Sequence, residues 1–175
     1  MIKKVLIATD GSVHAEKAVA FGSDIAAKYD AEVLLVHVLL RKEVSEEFHH
    51  MAEVEYGVDL RPLSEAFTSV ATARFPANIV FTKKDVSTPG RMLKILGEKV
   101  LDQAAEMARE HGVSKVSKRI EDGNPVARIL EIIEAEGVDL VISGARGLSD
   151  LKALVVGSVS HKLTHLSPVT CITVR

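Results

Sequence analysis

The segment AEVLLVHVLL, starting at Ala31, constrains this chain more than any other. It is almost continuous in apolar side chains and rich in valine. A half-buried strand alternates apolar and polar residues; this one does not, so both of its faces must be covered. Such a strand belongs inside a parallel sheet with helices on either side. Residues 2–8, IKKVLIA, read as a second short buried strand, and Val138-Asp139-Leu140-Val141-Ile142 as another. A weaker strand is expected over 114–121, with alternation at Val116 and Ile120, and a last one over Val169–Val174.

Helical periodicity fills the gaps. Ser12 can cap a helix running to about Tyr29, with Ala18, Phe21, Ile25 and Tyr29 on one face. Leu93, Leu96, Val100, Ala104 and Met107 mark a long helix closed by Gly112. Asn124-Pro125 pairs a capping side chain with proline at the first helical position; Val126, Ile129, Leu130 and Ile133 form the stripe, and Gly137 ends it. Gly157-Ser158 opens a further helix with Val159, Leu163 and Leu166 on its apolar side. The order is β-α-β-(α)-β-α-β-loop-α-β. It implies one α/β domain over 1–175, with a charged, partly helical insertion after the second strand at about 41–90. The charge run RKEVSEEFHHMAEVEYG in that insertion reads as a solvated face, with a lid or partner surface as the alternative.

In an open parallel sheet, ligands bind beyond the carboxyl ends of the strands, where connections diverge. Two loops there have the right character: Ala8-Thr9-Asp10-Gly11 after the first strand, and Ser143-Gly144-Ala145-Arg146-Gly147 after the fourth. With the first strand central, they face each other across a crevice. Glycines let phosphate oxygens approach the backbone, so a side chain at Gly144 is expected to block the phosphate path. The first amides of the helix opened by Gly157, Ser158, Val159 and Ser160 have no intrahelical partners and favour an anion. The hydroxyls of Ser158 and Ser160 could add donors, and Arg146 a local charge. The same glycines also suit tight packing at a strand–helix corner.

The pattern Gly144-x2-Gly147-x9-Gly157-Ser158 resembles the ATP-binding signature of the universal stress protein family, G-2x-G-9x-G-(S/T). KKVLIATDGS, LLVHV, GNPVARIL and SPVTCITVR are similar to that family's first strand and loop, second strand, helix start and final strand. The resemblance is weakest across 41–90. It implies an adenine nucleotide alpha hydrolase-like fold: a five-stranded parallel sheet of order 3-2-1-4-5, helices on both faces. It also implies a homodimer through the last strand. Adenine contacts are implied at Ala8, Thr9 and Val38, with the phosphates at Gly144, Ala145, Arg146, Gly147, Gly157, Ser158, Val159 and Ser160. Asp10 matches the family's first-loop acid. A carboxylate repels phosphate, so Asp10 suits a ribose hydroxyl or a nucleotide-bound Mg²⁺; the alternative is an Asx-turn that only shapes the loop. Ala8 stands where some ATP-binding relatives carry proline.

Other signals carry less. His161 and His165 are four apart without an HExxH pattern and read as surface residues, His49 and His50 point in different directions, and His37 reads as a hydrogen-bonded core histidine. The single cysteine, Cys171, reads as a small buried hydrophobe. A formal net charge of −2 and aromatics at 4% argue against nucleic acid as a partner. No apolar run approaches a membrane span, the start turns polar early, and a cytoplasmic protein is expected. No P-loop, G-x-G-x-x-G or nucleophile elbow is present, so hydrolysis is expected to be weak at most. Three readings stay open: a dimeric ATP-binding (or ADP- or AMP-binding) sensor or regulator in stress response with an unidentified regulatory partner, a slow ATPase or nucleotidyl-transfer enzyme, and a dimeric interaction module that binds no nucleotide.

Overall fold

The computed structural model describes residues 1–39, 89–147 and 157–175. Most of the expected insertion, including His49 and His50, and residues 148–156 within the glycine signature lie outside the described residues. The chain divides into two compact units, Met1–Leu40 with Leu96–Arg175, and Arg41–Ile95. The first unit holds the five-stranded sheet.

Its elements are β1 (Lys4–Ala8), α1 (Val13–Tyr29), β2 (Glu32–Leu39), α2 (Pro89–Glu110), β3 (Val116–Asp122), α3 (Pro125–Glu136), β4 (Leu140–Gly144), α4 (Ser158–Leu166) and β5 (Thr170–Val174). All pairings are parallel and the sheet order is β3-β2-β1-β4-β5, as expected. β1 is central, so its carboxyl end is the point where the connections part.

Alternation along each strand splits the core in two. Val5, Ile7, Val33, Leu35 and Ile142 pack with Ala18, Val19 and Ala26 of α1 and Leu101, Ala105 and Ala108 of α2. On the other face Leu6, Leu34, Val36 and Val141 pack with Ile129, Ile132 and Ile133 of α3 and Leu163 of α4. β1 and β2 are therefore sandwiched, which is why AEVLLVHVLL shows no polar alternation. The edge strands β3 and β5 are only partly buried, and β3 is the strand with the weaker sequence signal.

Several predicted stripes are corrected. α1 buries Ala15, Ala18, Val19, Gly22, Ser23 and Ala26, while Phe21 and Tyr29 stay 45% and 48% exposed. The reason is close approach: a Cβ at Gly22 would come within 2.7 Å of Ile7 Cδ1, so the small residues, not the large ones, face the sheet. In α3 the fully packed place falls to Ile132, with Leu130 partly buried. In α4 Leu163 is fully buried and Leu166, in the last turn, is 58% exposed. Caps follow the sequence. Ser12 and Asn124 accept hydrogen bonds from the amides of Ala15 and Ala127, and Gly137 takes the left-handed conformation that closes α3.

Candidate functional site

The two loops expected to meet do meet. Gly11 has φ +79°, and this lets the chain turn sharply from β1 into α1. Within that turn Asp10 Oδ1 accepts from the Ser12 amide at 3.0 Å, an Asx-turn. Ser12 Oγ donates to the Arg146 carbonyl at 3.4 Å, tying the first loop to the loop after β4. Gly147 lies against the Asp10 carboxylate: a Cβ there would stand 2.5 Å from Oδ2. Asp10 thus shapes its own loop with one oxygen and turns the other toward the glycine loop.

The remaining signature residues divide by role. A Cβ at Gly144 would sit 2.7 Å from the carbonyl carbon of His14 and 2.8 Å from the amide nitrogen of Ala15. The missing side chain at 144 therefore makes room for the first turn of α1, and the expected reason, an open phosphate path, does not account for it. Ala145 is buried and serves as an anchor. Its amide donates to the Val174 carbonyl at 2.6 Å, and its carbonyl accepts from the Gly157 amide at 2.7 Å. Ser160 Oγ lies 3.0 Å from the carbonyls of Ala145 and of Gly157, and its one proton is spent between them. Ser160 is 3% exposed and braces the helix start; it is not the anion donor its hydroxyl suggested.

Gly157 and Ser158 are placed differently. Gly157 is the N-cap of α4, with extended backbone and no side-chain cap. Among the described residues the nearest atom to a Cβ there, the Ala145 carbonyl oxygen, is 3.5 Å away, an ordinary contact. Ser158 is exposed and Val159 packs partly into the second core. Helical geometry leaves the first amides of α4 without intrahelical acceptors, at the positive end of the dipole. A nine-residue helix is marginal by itself, so its position rests on Leu163 and the Ser160 brace.

The second strand contributes a backbone edge. Glu32 donates to Lys3 and Val36 accepts from Thr9, so these residues face β1; Val33 and Leu39 bond toward β3. The two-residue repeat turns Val38 toward β1 as well, past the last β1 rung at Ala8–Val36. Ala8, Thr9 and Val38, named by resemblance, thus come together at the carboxyl end of the central strands. His37, expected as a hydrogen-bonded core histidine, is held by the Thr9 carbonyl at 2.8 Å from Nδ1. Burial pushes its pKa below the usual histidine value, against the pull of that carbonyl and of Asp10. Its ring rests on Gly97: a Cβ there would be 2.8 Å from Cδ2. Glycine inside a helix costs roughly 0.5–1 kcal/mol relative to alanine, and this contact is its reason. Sequence reading passed over Ser12 as a bridge and over Gly97; a lone glycine amid the helical stripe of α2 was the available signal.

The other candidates stay apart from this site. His161 and His165 stack edge to face at 4.6 Å on the exposed side of α4. Among the described residues no group of three His, Cys, Asp or Glu is placed to hold a metal ion. Burial pushes the Cys171 thiol upward, away from thiolate reactivity. No helix among the described residues is long and apolar enough to cross a membrane.

The sheet order, the helices on both faces and the switch point between β1 and β4 define an adenine nucleotide alpha hydrolase-like fold. A family model described as the universal stress protein family matches residues 1–175, and the chain belongs to that family. It is 29% identical over 176 residues to the universal stress protein YxiE of Bacillus subtilis, covering 100% of both chains. Among solved structures it resembles a universal stress protein in complex with cAMP, with TM-score 0.61, 18% identity and coverage of 99% and 97%. It also resembles a universal stress protein family protein from Arabidopsis thaliana with AMP bound, with TM-score 0.60, 17% identity and coverage of 98% and 90%.

Proposed function

We propose that this protein binds an adenine nucleotide in the crevice between the β1 and β4 loops and acts as a dimeric, nucleotide-dependent sensor in stress response. The observation that carries this reading is the α4 start: Gly157 leaves it without a side-chain cap, and among the described residues a Cβ at Gly157 would touch nothing closer than 3.5 Å. The cAMP and AMP bound to two structural relatives support the ligand class. Phosphates would lie on the amides of Ser158 and Val159, near Gly147 and Arg146. Adenine would lie along Val38 and the Ala8–Thr9 turn. Asp10 would reach a ribose hydroxyl or a Mg²⁺ carried by the phosphates. ATP is the expected ligand, with ADP and AMP sharing the same cradle. β5 is a sheet edge of five residues, all at least partly exposed, which suits it to pair with a second copy. A regulatory protein would read the dimer.

Thermal unfolding with AMP, ADP and ATP, each with and without Mg²⁺, tests the ligand. A ligand at about 100 times its dissociation constant adds about 2.7 kcal/mol. A rise in Tm with adenine nucleotides is expected; no rise with any of them contradicts the reading.

A further inference from the structure

In a parallel ladder, the rung after the Thr9 amide and Val36 carbonyl would join the Val38 amide to the Thr9 carbonyl. That rung is not made among the described backbone bonds. The Thr9 carbonyl instead accepts from His37 Nδ1 at 2.8 Å. The Gly11 amide, next in line for the Val38 carbonyl, donates to Thr9 Oγ1 at 3.4 Å. A carbonyl only accepts, so this ring nitrogen must be the donor. Nδ1 therefore carries a hydrogen, and burial disfavours a second proton on the ring, which is seated on Gly97.

We infer that His37 is a positioning residue: its ring captures the Thr9 carbonyl, ends the β1–β2 ladder one rung early, and keeps the Val38 amide and carbonyl open as a donor–acceptor pair for the edge of an adenine base. The inference rests on the nucleotide reading above. An amide and a carbonyl from one residue match the N1 acceptor and the N6 amino donor of adenine. A side chain unable to donate would release the Thr9 carbonyl to Val38 and close that edge.

The test compares wild type, His37→Leu and His37→Asn by three measurements: AMP titration calorimetry, Val38 amide exchange in the free protein, and the nitrogen shifts of the wild-type His37 ring. Wild type is expected to show the Nδ1–H tautomer and a fast-exchanging Val38 amide. His37→Leu should slow that exchange and weaken AMP binding about tenfold, the scale of one lost hydrogen bond. His37→Asn, whose side-chain amide can donate from nearly the same place, should restore both. A folded His37→Leu that binds AMP like wild type overturns the inference. If that variant does not fold, an Nε2–H tautomer in wild type, or His37→Asn with affinity lost and Val38 exchange unchanged, overturns it. Wild type that binds no AMP defeats the nucleotide reading and the adenine role with it; slowed Val38 exchange in His37→Leu would still establish the ladder-ending contact.

Discussion

Gly144 ends β4 and Gly157 precedes α4, and the two belong to one spacing pattern. Their surroundings differ. At Gly144 an added carbon would stand 2.7–2.9 Å from the α1 backbone at His14 and Ala15. At Gly157 the nearest atom among the described residues is 3.5 Å away and the backbone is extended, open to any residue. Packing requires the first glycine; under the proposed nucleotide reading, the approach of a ligand is the reason for the second. A motif of regular spacing can therefore mix residues that hold the fold with residues that leave room for a guest.

The sharpest break of that contrast is a paired substitution. Gly144→Val should cost at least about 3 kcal/mol or prevent folding, because a helix backbone cannot step aside as a side chain can; urea unfolding measures it. Gly157→Val should stay folded and lose adenine-nucleotide affinity by about tenfold or more, measured by calorimetry. Equal stability in the two variants would erase the distinction. Next in size is Ser160→Ala, which removes the brace between Ala145 and the α4 start. A loss of about 1 kcal/mol is expected from denaturant unfolding, and affinity should fall with it as α4 loosens. Unchanged stability would mean that the helix start is held some other way.

The smallest expected effect is a pH dependence. Burial lowers the His37 pKa in the folded state, so below the ordinary histidine value of about 6.5 the unfolded chain takes up a proton that the folded one resists. The His37 contribution therefore makes the protein less stable as pH falls through and below that value. A Tm profile of wild type against His37→Asn reads it; identical slopes near pH 6 would show that the ring is not buried as described.

Much of the fold was legible because both-face burial leaves a simple trace. The run from Ala31 became β2, the Asn124-Pro125 start and the Gly137 stop stand where the pattern placed them, and the strand expected at Val138–Ile142 lies two residues further on, at Leu140–Gly144. The α1 stripe misled because packing distance, not side-chain size, decides which face turns inward. Small residues such as Gly22 let the helix sit close to Ile7, and Phe21 was left outside. For the site, the spacing of Gly144, Gly147 and Gly157 located the loops without separating their duties. That separation depends on what lies across each Cα, as with the α1 backbone at Gly144 and the Asp10 carboxylate at Gly147. Ser160 shows the same limit: its hydroxyl was visible in sequence, its two carbonyl partners were not.

The most direct measurement is an amide NMR titration of the labelled protein with AMP. The account predicts saturable shifts at Thr9, Val38, Ser158 and Val159, with little change at Lys115 on the opposite end of the sheet. Shifts confined to other surfaces, or none at millimolar AMP, would contradict it.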